Sequence, residues 1–440
     1  MVKSKEVIVI GGGLAGSEAA YQLAKRGINV ILYEMRPSVM TPAHKTDKLA
    51  EIVCSNSLGS EDSFTAGGVL KRELKRLDSL LLRKAEEKRV PAGHALAVDR
   101  EKFSEAVTEE LENFKNIKII REEIKKIPEE NPVIIATGPL TSKELSVDIM
   151  KLTGRENLFF YDATSPIVEA SSINRDIVFK ASRYDRGGAD YLNAPFTEEE
   201  YKRFFNELLN AEKVPLKEFE KHIFYEACLP IEELARRGEK TLVFGPLKPV
   251  GLIDPRTGKR PYAVVQLRQD DIAAEHYQLV GFQTRLTWSE QKRVFRMIPG
   301  LEKAEFVRYG VMHRNSYVNA PLVLNRLFQT KKRKDLFIVG QLSGLEGYVE
   351  AIASGLFAGI MMASFLNGHT LIAPPRTTAI GALGYYLENA NFKNFQPTKF
   401  VFGLLEPLKD KPKDKKLRRK LLSERAEREF EFYVKSVLKL

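Results

Sequence analysis

The sequence predicts an α/β protein in two unequal units, and three observations carry that reading. A short β-branched run, Glu6 to Ile10, empties into Gly11-Gly12-Gly13-Leu14-Ala15-Gly16 and then into an amphipathic stretch reaching Arg26. Two later apolar runs, Pro132 to Ala136 and Asp335 to Val339, also open into glycine-bearing turns. Between them, from about Val178 to Pro299, the composition shifts to short strand-like runs and a capped helix.

The first run reads as a buried parallel strand. Its helix has Ala19, Ala20, Leu23 and Ala24 on one face and closes at Gly27; Ile28 to Tyr33 makes the next strand, ending at Glu34. A lone G-x-G-x-x-G is a weak signal, but strand, glycine turn, helix, strand and terminal acid together are specific. Gly11 permits the tight turn, Gly13 lets backbone approach a pyrophosphate, and Gly16 allows close helix–strand packing. Gly12, Leu14 and Ala15 complete the turn, whose helix N-terminus offers unpaired N–H groups to phosphates. Glu34 is placed to accept hydrogen bonds from an adenosine ribose.

The later runs choose between NAD and FAD. Pro132–Ala136 ends in Thr137-Gly138-Pro139, and Asp335–Val339 opens into Gly340-Gln341-Leu342-Ser343-Gly344-Leu345-Glu346-Gly347. The helix expected from Tyr348 is rich in small residues, Ala351, Ala353, Ser354, Gly355, Ala358 and Gly359, which suit close packing on a sheet or a flat ligand. Its positive end could face a flavin pyrimidine edge. We therefore expect Thr137, Gly138, Gly340, Gln341, Gly347 and Tyr348 to join the first turn in holding FAD. The fold implied is a discontinuous Rossmann-like FAD-binding domain, 1–177 and 305–440, with a smaller α+β domain inserted at 178–304. Within the insertion, strands are expected at Phe179–Ala181, Thr241–Phe244, Tyr262–Leu267 and Leu279–Gln283, and a helix at Glu198–Leu209 behind the N-cap Thr197.

Composition narrows the class. At 440 residues, 43% hydrophobic and 29% charged, the chain can bury sizeable cores and is not of the disordered type. The apolar stretch Ala351–Leu366 is short for a bilayer and studded with Ala and Gly, and no signal-peptide layout precedes the first strand, so no membrane association and a cytoplasmic location are expected. The net charge of +11 favours a polyanionic partner, although many basic proteins bind no nucleic acid. Basic clusters fall at Lys71–Lys75–Arg76, at Lys331–Lys334 and along Lys409–Lys420, the last reading as a solvated tail helix.

Only two cysteines occur. Cys54 lies in Ile52-Val53-Cys54-Ser55-Asn56-Ser57-Leu58, and Cys228 in Tyr225-Glu226-Ala227-Cys228-Leu229-Pro230 within the insertion. No C-x-x-C is present, which argues against a disulfide reductase, and the scattered histidines form no metal-ligand pattern, so no metal is expected. A free cysteine is ordinarily a small buried hydrophobe. The residues alone leave that reading and a nucleophilic one both open.

Nearly end to end, the chain resembles the TrmFO family of folate- and FAD-dependent tRNA uracil-C5 methyltransferases, relatives of the larger GidA/MnmG proteins. The stretches that carry the resemblance are Gly11–Glu18, Val53–Leu58, Phe224–Glu232, Val280–Thr284, Tyr309–Pro321 and Gly340–Gly359. The Cys54 segment and Gly310-Val311-Met312-His313-Arg314-Asn315 are its specific parts, because generic flavoproteins lack them. Two departures occur: Ala227 stands where the family commonly has Gly, and Arg285 where it often has His after F-Q-T. The resemblance implies methylation of the T-loop uridine at tRNA position 54 to ribothymidine. Methylenetetrahydrofolate would donate the carbon, and FAD recharged by NAD(P)H the electrons. Cys228 would attack carbon 6 and Cys54 would assist at carbon 5, an order that could be reversed. Arg285, His313 and Arg314 would contact folate or tRNA. The competing readings are a small-molecule flavin oxidoreductase, a GidA/MnmG-like modifier of the wobble uridine, and a non-catalytic RNA-binding flavoprotein.

Overall fold

The computed structural model describes residues 6–154, 158–185, 188–215 and 229–439. Its organising element is a five-stranded, fully parallel sheet in the order Leu336–Ile338, Val133–Ile135, Glu6–Ile10, Asn29–Tyr33 and Ile117–Ile120. The strand supplied by the late run thus sits beside the one at 133–135, completing a sheet begun at the N-terminus. All four expected strands of this unit form within a residue or two of their predicted limits. The centre strand has neighbours reached by opposite turns of the chain, and at such switch points the carboxyl ends of the strands diverge to leave a crevice.

Helix Leu14–Lys25 covers the sheet, and helix Tyr348–Leu366 packs across it. The small residues explain how closely. A Cβ on Gly355 would lie 2.0 Å from the carbonyl oxygen of Ala15, and one on Gly359 would lie 2.9 Å from that of Ala19. The small-residue face therefore serves helix-on-helix contact. The 19-residue helix is long enough to cross a membrane, contrary to the length argument, but 78% of its apolar window is buried inside the protein. Its hydrophobicity is accounted for as core.

A second hydrophobic core lies under a six-stranded antiparallel sheet, ordered Phe179–Ala181, Tyr191–Phe196, Ala263–Gln269, His276–Leu279, Ile167–Glu169 and Phe306–Arg308. The sheet recruits strands on both sides of 178–304. Thr197 caps helix Glu198–Asn210 through a complete capping box with Glu200. Two local expectations fail. Thr241–Phe244 is helical, within Glu239–Phe244, because it buries Leu242 against helix Ile231–Ala235 and finds no strand to pair with among the described residues. The run from Leu279 stops at its first residue, since Gly281 at φ +79° turns the chain out of the sheet.

The basic C-terminal helix, Lys415–Tyr433, is not a free tail. Leu422, Ala426, Phe430 and Tyr433 are buried in the first core, and Arg76 pairs with Glu431 at 2.6 Å. The Lys71 cluster is structural too. Lys71 is buried and donates to the carbonyl oxygens of Gly59 and Ser60 at 3.2 and 2.9 Å, and burial lowers its pKa to about 8.

Candidate active site

A cavity of about 640 Å³ opens at the carboxyl ends of the parallel strands and extends to the antiparallel unit, from which Arg268 and Gln283 reach its wall. The expected cofactor positions converge on it from three separate turns. Gly11, Gly13, Leu14 and Ala15 come from the first, Thr137 and Gly138 from the second, and Gly340, Gln341, Gly347 and Tyr348 from the third, with Glu34 at the end of the strand Asn29–Tyr33. Gly12 and Gly16 are not on the wall. Gly12 instead donates its N–H to Glu34 Oε2 at 2.9 Å, and Gly16 lies so near Gly11 that a Cβ would come within 1.8 Å of its carbonyl oxygen.

The turn fits a dinucleotide on geometric grounds. Gly11 has φ +99°, a backbone that L side chains rarely adopt, and a Cβ on Gly13 would meet nothing within 4 Å. Backbone can thus approach a ligand where a side chain would occupy its space. Burial tends to raise the pKa of Glu34, but hydrogen bonds from Arg36 and Gly12 hold it below the ordinary carboxylate range. Oε1 already accepts both of its bonds from Arg36, while Oε2, with one from Gly12, retains a lone pair for a ribose hydroxyl.

At the other end of the cavity stands Cys54. Its N–H donates to the hydroxyl of Tyr348 at 2.8 Å, and its carbonyl oxygen accepts from Gln278 Nε2 at 3.0 Å and Arg100 Nη2 at 3.1 Å. Arg100 is itself held by a two-pronged pair with Asp270, at 2.7 and 2.9 Å. Arg268 binds the side chains of Ser55 and Asn56, each at 2.7 Å. The Cys54 turn is thus cross-braced by the antiparallel sheet. Burial pushes its thiol up to about 12, with the nearby Asp162 carboxylate adding to the effect. The same wall carries Asp162, Asn315 and Glu346. Burial, then the charge of Asp162, raises the Glu346 carboxyl to about 8, so it is mostly protonated at neutral pH.

The bracing residues Arg100, Arg268, Asp270 and Gln278, and the carboxyls Asp162 and Glu346, were not singled out from the sequence. A signal existed for Arg268, a charged residue directly after the apolar run Ala263–Leu267. Among the expected substrate contacts, Arg285 is turned elsewhere. Its guanidinium pairs with Glu233 at 2.7 Å and donates to the carbonyl of Val214, and it is absent from the cavity wall. His313 and Arg314 lie on strand Met312–Tyr317, opposite Asp162 and Tyr161, with their side chains outside the described residues. Cys228 also lies outside the described residues.

A family model described as "Glucose inhibited division protein A" (GIDA) matches residues 6–370. The chain is 58% identical over 421 residues to "Methylenetetrahydrofolate--tRNA-(uracil-5-)-methyltransferase TrmFO" of Anoxybacillus flavithermus, covering 96% of this chain and 97% of that protein. It is 57% identical over 425 residues to the protein of the same name from Bacillus subtilis, covering 97% and 98% respectively. Among solved structures it resembles Aquifex aeolicus GidA in its form I crystal, with TM-score 0.70, 18% identity, and coverage of 98% of this chain and 76% of that one. At that identity the likeness concerns the fold.

Proposed function

The chain belongs to the GidA family and, within it, to the methylenetetrahydrofolate–tRNA-(uracil-5-)-methyltransferases called TrmFO, and we propose that it methylates carbon 5 of the T-loop uridine at tRNA position 54. The observation that carries the reading is Cys54, fixed on the wall of the same cavity that the three glycine turns enclose.

The residues divide the work by their chemistry. The turns at Gly11, Thr137 and Gly340 would hold the dinucleotide, with Glu34 on its ribose. Bound there, FAD recharged by NAD(P)H supplies the two electrons that bring a methylene carbon to the methyl level. Carbon 5 of uracil is a poor nucleophile until a thiolate adds to carbon 6. We assign that addition to Cys228. Carbon 5 then takes the methylene of methylenetetrahydrofolate; loss of the carbon 5 proton expels tetrahydrofolate and leaves an exocyclic methylene, which takes the two electrons as hydride while the thiolate leaves carbon 6, regenerating Cys228. Cys54 is given the proton at carbon 5. Its environment supports giving the attack to Cys228, because a thiol pushed up to about 12 is a poor resting nucleophile; to take the carbon 5 proton, Cys54 must first pass its own proton on. The target base must leave its stack to reach a thiol on the cavity wall. We further assign the antiparallel unit, including strands Ile167–Glu169 and Phe306–Arg308, to substrate binding.

Nucleoside analysis of tRNA incubated with the holoenzyme, methylenetetrahydrofolate and NAD(P)H tests the whole reading. It should show 5-methyluridine that depends on the folate. Product formed from S-adenosylmethionine instead, or no product, would remove it.

A further inference from the structure

We propose that Trp288, Tyr309 and Phe306 form a stacking platform for an unstacked base of the RNA substrate, a proposal that rests on the tRNA reading above. The three rings make a ladder. Trp288 and Tyr309 are stacked with centroids 5.4 Å apart and planes at 13°, and Tyr309 and Phe306 follow at 5.2 Å and 15°. Buried pairs in the same unit pack differently, as in Phe282–Phe295, edge to face at 83°. Edge-to-face packing fills a core, whereas near-parallel packing leaves a flat π-face at the end of the stack.

The ladder has an inner and an outer end. Phe306 packs against the second core from the edge strand Phe306–Arg308, while Trp288, the only tryptophan in the chain, is 61% exposed. Its geometry is locked from beneath. Gln291, fully buried, donates to the carbonyl oxygens of Leu286 and Gly310 and accepts the Gly310 N–H, each at 2.8 Å. That staple ties the helix bearing Trp288 to the residue after Tyr309. A rigid, exposed aromatic face suits a planar base, since every base has a π-face and stacking requires no further adjustment.

Charge and position favour RNA as the occupant. Lys292 is exposed one helical turn beyond Trp288 on the same face, and the neighbouring carboxylate Glu290 is already paired with Arg293 at 2.8 Å. Gln283, five residues before Trp288, and Asn315, six after Tyr309, both wall the cavity. At no more than about 3.5 Å per residue, the ladder lies within roughly 20 Å of that wall. A base on the ladder and a uridine in the cavity can therefore belong to one RNA loop.

The test uses the FAD-loaded enzyme and a T-arm stem-loop RNA. Trp288→Ala should weaken RNA binding about tenfold, toward the low end for one stacked base, and Trp288→Phe should recover part of the loss. The slope of log affinity against log salt should stay as in wild type for Trp288→Ala, because no phosphate contact is removed. Lys292→Ala should instead flatten that slope by about one. The fluorescence of the lone tryptophan should change with the stem-loop and not with tetrahydrofolate alone. Normal flavin absorbance would show that each variant is folded. Wild-type RNA affinity in Trp288→Ala, or a defect confined to the KM for methylenetetrahydrofolate, would overturn the platform while 5-methyluridine formation by the wild type left the functional reading standing. Absence of 5-methyluridine with the wild type would bring down both.

Discussion

At the residue scale the two thiols carry the sharpest expectation. With 5-fluorouridine at the target position, fluorine cannot leave as a cation, so the carbon 6 adduct is trapped. Cys228→Ala should lose both methylation and the adduct while keeping its flavin. Cys54→Ala should lose turnover yet still form the adduct, because its task follows attack. Mass spectrometry of the crosslinked peptide decides, and an adduct on Cys54 would reverse the assignment. A second expectation concerns Glu346. Its folded pKa, about 8, is raised above the ordinary carboxyl value by burial and by Asp162. Between about pH 4.5 and 8 the folded state therefore binds the extra proton, and stability falls as pH rises, by up to about 1.4 kcal/mol per pH unit. Glu346→Gln should remove that component. Thermal unfolding of both proteins from pH 5 to 8 should give curves whose difference grows in favour of the variant, and parallel curves would contradict it.

At the element scale, glycines that look alike in sequence do different things. Gly13 sits where a Cβ would enter open space, so Gly13→Val should leave folding intact and abolish flavin retention. Gly355 sits where a Cβ would lie 2.0 Å from the backbone of Ala15. Gly355→Val should force the two helices apart and cost about 1–3 kcal/mol or more. Flavin absorbance alone would not separate the variants, because a loosened crevice also loses ligand. Chemical denaturation of the apoproteins does, and a Gly13→Val protein as unstable as Gly355→Val would contradict the distinction.

At the scale of the whole molecule, the positive surplus is less free than a count suggests. Lys71 is buried, Arg76 is paired with Glu431, and Arg333 is held by Asp335 at 2.8 Å. The exposed cations at the start of the docked C-terminal helix, Lys415, Lys416 and Arg419, remain available to phosphates. Replacing these three with Gln should reduce the salt dependence of tRNA binding by roughly 0.7–0.9 for each phosphate no longer neutralised, with little change in stability. Lys71→Ala should destabilise the fold and leave the salt slope unchanged. Titrating affinity against salt for both variants would expose an inverted result.

The parallel unit was legible in the sequence because its signals are local. Glu6–Ile10, the turn at Gly11–Gly16 and the acid at Glu34 specify strand, turn, helix and strand through backbone conformation and short-range periodicity, and the runs at 132–136 and 335–339 repeat the code. The capping box at Thr197 was readable for the same reason. Pairing and burial are not local. Whether Thr241–Phe244 is a strand depends on having a neighbour to bond, and among the described residues it has none, so it forms a helix. The brace around Cys54 joins Arg100, Arg268, Asp270 and Gln278 from distant segments. No spacing in the chain announces that these side chains meet. The tertiary structure alone decided that Cys54 is held on the cavity wall with its thiol pushed up, because desolvation and the field of Asp162 exist only once the chain has closed around them.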